Sequence, residues 1–185
     1  MSRMSLGQLL GYQVNRRYLG KESFLFGHIH YLYTMRWPVR LLLLAPGPLR
    51  YPFIREGLDF YAQRLRPYLH FETLFPKASG GPEKEGRILK RHLSPGDYLV
   101  ALTERGKLFS TREFARWLGN LLPSRRRITV LAGGPEGLSA DLLAVSHFQL
   151  SLSPLTFHHE LALLVFAETL YRALTLLSGH PYHRD

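Results

Sequence analysis

From Val39 onward, short β-like apolar runs alternate with segments whose apolar residues recur every three or four positions. This is the rhythm of an α/β fold with a largely parallel sheet. The runs Val39–Leu44, His70–Phe75, Tyr98–Leu102, Ile128–Leu131 and Phe148–Leu152 read as strands. Helices are expected over Ile54–Leu65, Glu83–His92, Thr111–Leu121, Ala140–Val145 and Glu160–Leu177. Thr111 and Ser139 stand where N-caps belong, and Gly179 follows the last helix as a C-terminal stop. The expectation is one α/β domain with a parallel-type sheet and helices on both faces.

Residues 1–34 lie outside this rhythm, mixing aromatic, glycine and basic residues with no period of 2 or 3.6. They read as an appendage to a domain spanning 35–185. One reading makes them a basic, aromatic arm touching nucleic acid through Arg16, Arg17, Tyr18 and Lys21. The other makes them upstream sequence translated ahead of a start at Met35.

Composition narrows the function classes. The chain has no cysteine, which excludes disulfides, thiolate metal sites and a cysteine nucleophile. Its longest apolar runs, such as Leu41–Ala45 and Leu161–Ala167, fall far short of the roughly 20 residues that span a bilayer. No secretory leader is visible at the amino terminus, because Gln8, Gln13, Asn15 and the Arg16–Arg17 pair interrupt any apolar core. A cytoplasmic protein with no membrane partner is expected. The formal charge of +10, from 24 basic and 14 acidic residues, favours a polyanionic partner, with structured RNA first among them.

Three stretches carry candidate chemistry. In Leu131–Ser139, "LAGGPEGLS", a strand ends in a glycine-rich turn before a helix. Such a turn lets a ligand approach the backbone closely, although a purely structural tight turn has the same letters. Neither a phosphate-binding lysine nor dinucleotide-type glycine spacing is present there. Leu150–Glu160, "LSLSPLTFHHE", follows the last strand, at the carboxyl end of a sheet where ligands bind. Taken alone, it reads more readily as a turn into the helix capped by Thr156 or a polar neighbour. The terminal "GHPYHRD" gathers His180, Tyr182, His183 and Arg184, a mixture suited to stacking on an RNA base and contacting phosphate, or else a frayed terminus. A metal site on His180 and His183 lacks a third ligand, so no metal is expected.

In order, "GGPEGLS", "LSLSPLT", "AETLYRA" (Ala167–Ala173) and "HPYHRD" resemble the ribosomal RNA large subunit methyltransferase H family, a SPOUT-class group. The resemblance runs from Met35 to Asp185 and is supported earlier by "DYLVALTERGK" (Asp97–Lys107). It implies a homodimer, a carboxyl-terminal trefoil knot, and S-adenosyl-L-methionine held by three loops. These are Leu102 and Thr103 after the third strand, Gly133 and Gly134 in the glycine turn, and Ser153, Pro154, Leu155, Thr156, Phe157 and His158. The implied substrate is a pseudouridine of 23S rRNA in the assembled ribosome, position 1915, methylated on N3. His180, Tyr182, Arg184 and Arg172 would bind it. Ala162 stands where relatives commonly carry an arginine.

In such a reaction a ring nitrogen displaces the methyl of a sulfonium in line, so the enzyme supplies position and eases loss of the N3 proton. The tail is the expected catalytic element, with Arg184 stabilising charge, His183 accepting a proton and Tyr182 stacking on the base. Two rivals are a non-catalytic RNA-binding ribosome-associated factor of the same fold and a nucleotide-binding α/β enzyme unrelated to RNA.

Overall fold

The computed structural model describes residues 36–182. The appendage, Met35 and the tail residues His183 and Arg184 lie outside the described residues. Five strands, β1 (Arg40–Leu44), β2 (His70–Leu74), β3 (Tyr98–Lys107), β4 (Arg127–Leu131) and β5 (Phe148–Leu150), form one sheet in the order β2-β1-β4-β3-β5. Every pairing is parallel. The strands therefore end along one edge, and the loops that follow β3, β4 and β5 are brought together there.

Helices α1 (Pro52–Leu65), α2 (Pro82–Lys90), α3 (Thr111–Leu121), α4 (Ala140–Val145) and α5 (His159–Leu177) link and flank the strands. Strand alternation sorts them into two layers. Leu41, Leu43, Ile128 and Val130 face a core with Ile54 and Leu58 of α1, Phe114 and Leu118 of α3, and Leu163, Phe166 and Leu170 of α5. Leu42, Leu44, Leu99 and Leu131 face the other way, onto Leu89 of α2 and Leu142 of α4. Because β1 is buried on both faces, it reads as an unbroken leucine run rather than an alternating one. Helices on both faces are as expected.

Three local expectations change. Ser110, not Thr111, caps α3: its hydroxyl accepts from the Glu113 amide, and the Glu113 carboxylate accepts from the Ser110 amide at 2.8 Å. A reciprocal capping box outcompetes a lone hydroxyl one residue later. β5 stops at Leu150 instead of Leu152. β3 continues to Lys107 rather than ending at Leu102, so Leu102 and Thr103 are strand residues and not loop residues. Both Leu102 and Lys107 pair with Leu150, across a register shift, so the extension is held by β5 and not by local propensity. Among the described residues no helix is long and apolar enough to cross a membrane.

Candidate active site at the carboxyl edge of the sheet

Beyond β4 the chain turns sharply. The Gly137 amide donates to the Gly134 carbonyl at 3.0 Å, and Gly137 has φ of +84°, a conformation that favours glycine. The two preceding glycines do different work. A Cβ on Gly133 would overlap the Gly137 carbonyl group and reach 2.5 Å from the Leu138 nitrogen, so the turn closes only with hydrogen there. A Cβ on buried Gly134 would meet the Glu85 carboxylate, 2.8 Å away. Glu85 projects from the first turns of α2, half-buried, and its carboxylate has no hydrogen-bond or ion-pair partner among the described residues. The two glycines therefore differ in kind: Gly133 lets the backbone close, while Gly134 lets the Glu85 carboxylate lie against the turn.

The extension of β3 forms the neighbouring wall. Gly106 passes so close to β5 that a Cβ would lie 2.5 Å from the Leu150 carbonyl carbon, and the Lys107 carbonyl accepts from the Ser151 amide at 3.0 Å. Thr103 Oγ1 accepts from the Arg105 amide at 3.4 Å, and Leu102 is half-buried. The segment 153–158 folds over this wall through local bonds. Ser151 Oγ donates to the Ser153 carbonyl at 3.1 Å, and Ser153 Oγ accepts from the Leu155 amide at 2.9 Å. The Thr156 hydroxyl reaches Glu104 of β3 at 3.5 Å. Pro154 and Thr156 are exposed and Phe157 is half-buried, while Leu155 is 74% exposed, an apolar side chain held in the open beside polar backbone. Thr156 does not cap α5. That role falls to His158, whose Nδ1 accepts from the Glu160 amide at 3.3 Å.

Glu160 locks this loop to the rest of the domain. It is 2% exposed, and its carboxylate accepts from the Arg50 amide at 2.9 and 3.0 Å and from the Tyr51 amide at 3.2 Å. A buried carboxylate is tolerated when its oxygens are met by donors in this way. The Tyr51 ring stands edge-on to His158 at 5.3 Å. Burial, reinforced by neighbouring His158, holds the His159 imidazole below its usual range, which favours its neutral form.

The tail lies elsewhere. Tyr182 folds back on α5, its hydroxyl donating to Glu168 at 3.4 Å and its ring edge-on to Tyr171 at 4.8 Å. Arg172 pairs with Glu168 at 2.6 Å, with its guanidinium 5.0 Å over the Tyr182 ring. The Tyr61 hydroxyl beside them is pushed up to about 12, first by burial and then by its hydrogen bond with Tyr182. His180 is exposed. At 1.5 Å per residue, Glu168 sits about 15 Å and Arg172 about 21 Å along the helix axis from His158. Along α5, therefore, Arg172 and the Tyr182 ring packed beside it stand well away from the His158 end of the 153–158 loop.

Sequence reasoning missed Glu85, Gly106 and Glu160. No local motif marks Glu85, because its importance comes from a helix meeting a turn 49 residues later. Among the described residues no cluster of histidine, aspartate or glutamate could hold a metal ion.

Comparison with known proteins places the chain in a family. The family described as "Predicted SPOUT methyltransferase" matches residues 39–183. The ribosomal RNA large subunit methyltransferase H of Synechococcus sp. (strain CC9902) is 40% identical over 147 residues, covering 80% of this chain and 98% of that protein. The Bacteroides fragilis protein of the same name is 41% identical over 141 residues, covering 70% of this chain and 88% of that one. A probable methylase family protein from Haemophilus influenzae Rd KW20, at 13% identity and a TM-score of 0.50 over 80% of this chain and 71% of its own, shares the fold. A profile match along nearly the whole described domain, and relatives this similar over almost their full length, make this chain a member of the SPOUT methyltransferase family.

Proposed function

We propose that this protein transfers the methyl group of S-adenosyl-L-methionine to N3 of a pseudouridine in large-subunit rRNA, at position 1915 of 23S rRNA in the assembled ribosome. It acts as a cytoplasmic homodimer. The observation that carries the reading is the Glu85 carboxylate, without a partner among the described residues, lying against the side of Gly134 that has no side chain. S-adenosylmethionine bears an ammonium, a sulfonium and a ribose diol, so an unclaimed carboxylate beside a bare glycine suits its chemistry. When bound, it supplies an activated methyl group. Leu102, Thr103, Gly133, Gly134 and the loop Ser153–His158 would hold it, with Leu155 and Phe157 offering apolar contact. Glu85 joins that set. We also propose that the carboxyl-terminal elements are threaded as a trefoil knot.

The chain's own residues then position the base and manage its proton. Tyr182 stacks on the base, His183 accepts the N3 proton, Arg184 stabilises the anion that develops, and His180 and Arg172 bind the RNA. Since Tyr182 and Arg172 sit far along α5 from His158, the tail is proposed to complete the cofactor site of the neighbouring subunit. Tyr51, Phe53, Phe60 and Leu161 on α1 and the start of α5 are exposed apolar residues, a surface suited to a second copy.

Titration with S-adenosylmethionine tests the reading: saturable binding is expected, whereas a ribosome-associated factor without catalysis would bind RNA only. In the same assay Glu85→Gln is expected to weaken cofactor binding about tenfold while leaving the thermal transition in place. An unchanged affinity removes Glu85 from the site. A chain starting at Met35 is expected to fold, dimerise and methylate as the full chain does, checked by parallel kinetics. Loss of ribosome affinity in that chain would favour the basic-arm reading instead.

A further inference from the structure

The opposite edge of the sheet, where the parallel strands begin, carries a basic rim outside the residues assigned above to methyl transfer. Arg40 and Arg127 open neighbouring strands in register, and the Arg126 carbonyl accepts from the Arg40 amide at 3.0 Å. Two of these charges are met by acids, Arg40 by Glu72 at 3.1 Å and Arg127 by buried Asp97 at 3.5 Å. Arg127 also reaches the Ser94 hydroxyl and the His92 carbonyl. Arg36 and Arg126 are exposed, and neither has an acid within ion-pair distance among the described residues. Next to Arg126 in the chain, Arg125 lies 4.6 Å over the Tyr98 ring, which also stacks on His147 at 4.9 Å. The His147 ring is fixed in turn, its Nδ1 accepting from the Leu99 amide at 3.0 Å.

Adjacent Arg125 and Arg126 have no acid within ion-pair distance among the described residues and repel one another, so a polyanion against the rim would relieve that repulsion. The guanidinium fork matches phosphate geometry, and each phosphate met releases counterions. The five residues of β4, at about 3.3 Å each, separate the rim from the glycine turn by roughly 16 Å. Within one chain the rim therefore stands well away from the glycine turn.

We propose that this rim grips the phosphate backbone of a second rRNA segment, distinct from the target, and holds the enzyme on the ribosome. The proposal rests on rRNA being the substrate. It assigns the rim to binding and not to catalysis, so its signature is a rise in KM at constant kcat.

The test is the double charge reversal Arg36→Glu with Arg126→Glu in the full chain, compared with Arg116→Glu on the exposed face of α3 as a control of equal chemistry. The double variant is expected to raise KM for ribosomes at least tenfold, keep kcat and S-adenosylmethionine affinity within twofold, and lower the salt slope by about two phosphates' worth. Replacing both by lysine should restore most of the affinity. A KM no different from that of Arg116→Glu overturns the proposal. So does a loss of ribosome affinity with undiminished binding to protein-free 23S rRNA, which would point to an acidic protein partner. Should cofactor binding reveal a misfolded double variant, Arg126→Glu alone decides by the same readouts. If the parent chain methylates nothing, the substrate reading fails, while binding of protein-free 23S rRNA by parent and variant still judges the rim.

Discussion

Replacing Gly134 with valine is expected to weaken S-adenosylmethionine binding at least 100-fold and leave the fold standing, whereas Gly133→Ala is expected to destabilise the domain itself. The two glycines are adjacent, but their surroundings differ. At Gly134 the added side chain meets the Glu85 carboxylate, the far end of a flexible side chain that can swing aside. The three nearest atoms are all of that side chain, so the cost is expected to fall on the proposed ligand and not on the backbone. At Gly133 even one methyl overlaps the Gly137 carbonyl, and the backbone there cannot yield without opening the turn. A loss of about 2–4 kcal/mol is expected from such an overlap. Thermal melts and cofactor titrations on both variants check the pair. Equal melting of parent and Gly133→Ala, or intact cofactor affinity in Gly134→Val, would show that the turn is not built as described.

The second large effect belongs to the tail. Deleting residues 182–185 is expected to cut methyl transfer by two to three orders of magnitude, about 3–4 kcal/mol of transition-state stabilisation, while S-adenosylmethionine still binds. The deletion removes a ring held by Tyr171, Arg172 and Glu168, together with His183 and Arg184, and touches neither the glycine turn nor the 153–158 loop. If the tail serves the neighbouring subunit, mixing the deletion with Gly134→Val restores function. Half of the dimers from an equal mixture are mixed, and each has one intact site, so about a quarter of parental activity should return. No recovery would confine each site to one chain. Full activity of the deletion alone would take the tail out of the mechanism.

Much of this architecture is legible in the residues, and the exceptions share a cause. Strand cores announce themselves because Leu41–Leu44 and Ile128–Leu131 are buried on both faces, which leaves runs that are apolar throughout in the first and broken only by Thr129 in the second. The long helix α5 is equally plain. The extension of β3 is invisible because Thr103–Lys107 is polar and owes its strand form to pairing with Leu150 more than 40 residues away. Thr111 stands beside Ser110 as a rival cap, and the Ser110–Glu113 spacing of a capping box is what separates them in the sequence. At the site, the glycine turn and the 153–158 loop are where the letters put them. Their acidic neighbour Glu85 is not legible, because an unpartnered carboxylate is a property of what surrounds it. Glu160 is similar: a glutamate opening a helix reads as a solvated charge, and only the approach of Arg50 and Tyr51 makes it a buried clasp.

The central claim is methyl transfer to one pseudouridine of the large subunit. Its most direct test incubates the purified chain with methyl-labelled S-adenosylmethionine and ribosomes from a strain lacking this modification, followed by mass spectrometry of nuclease fragments of 23S rRNA. The expected result is one methyl per ribosome, on N3 of a single pseudouridine, absent with Gly134→Val. Label on another nucleotide, or none on ribosomes that a characterised relative methylates in parallel, would contradict it.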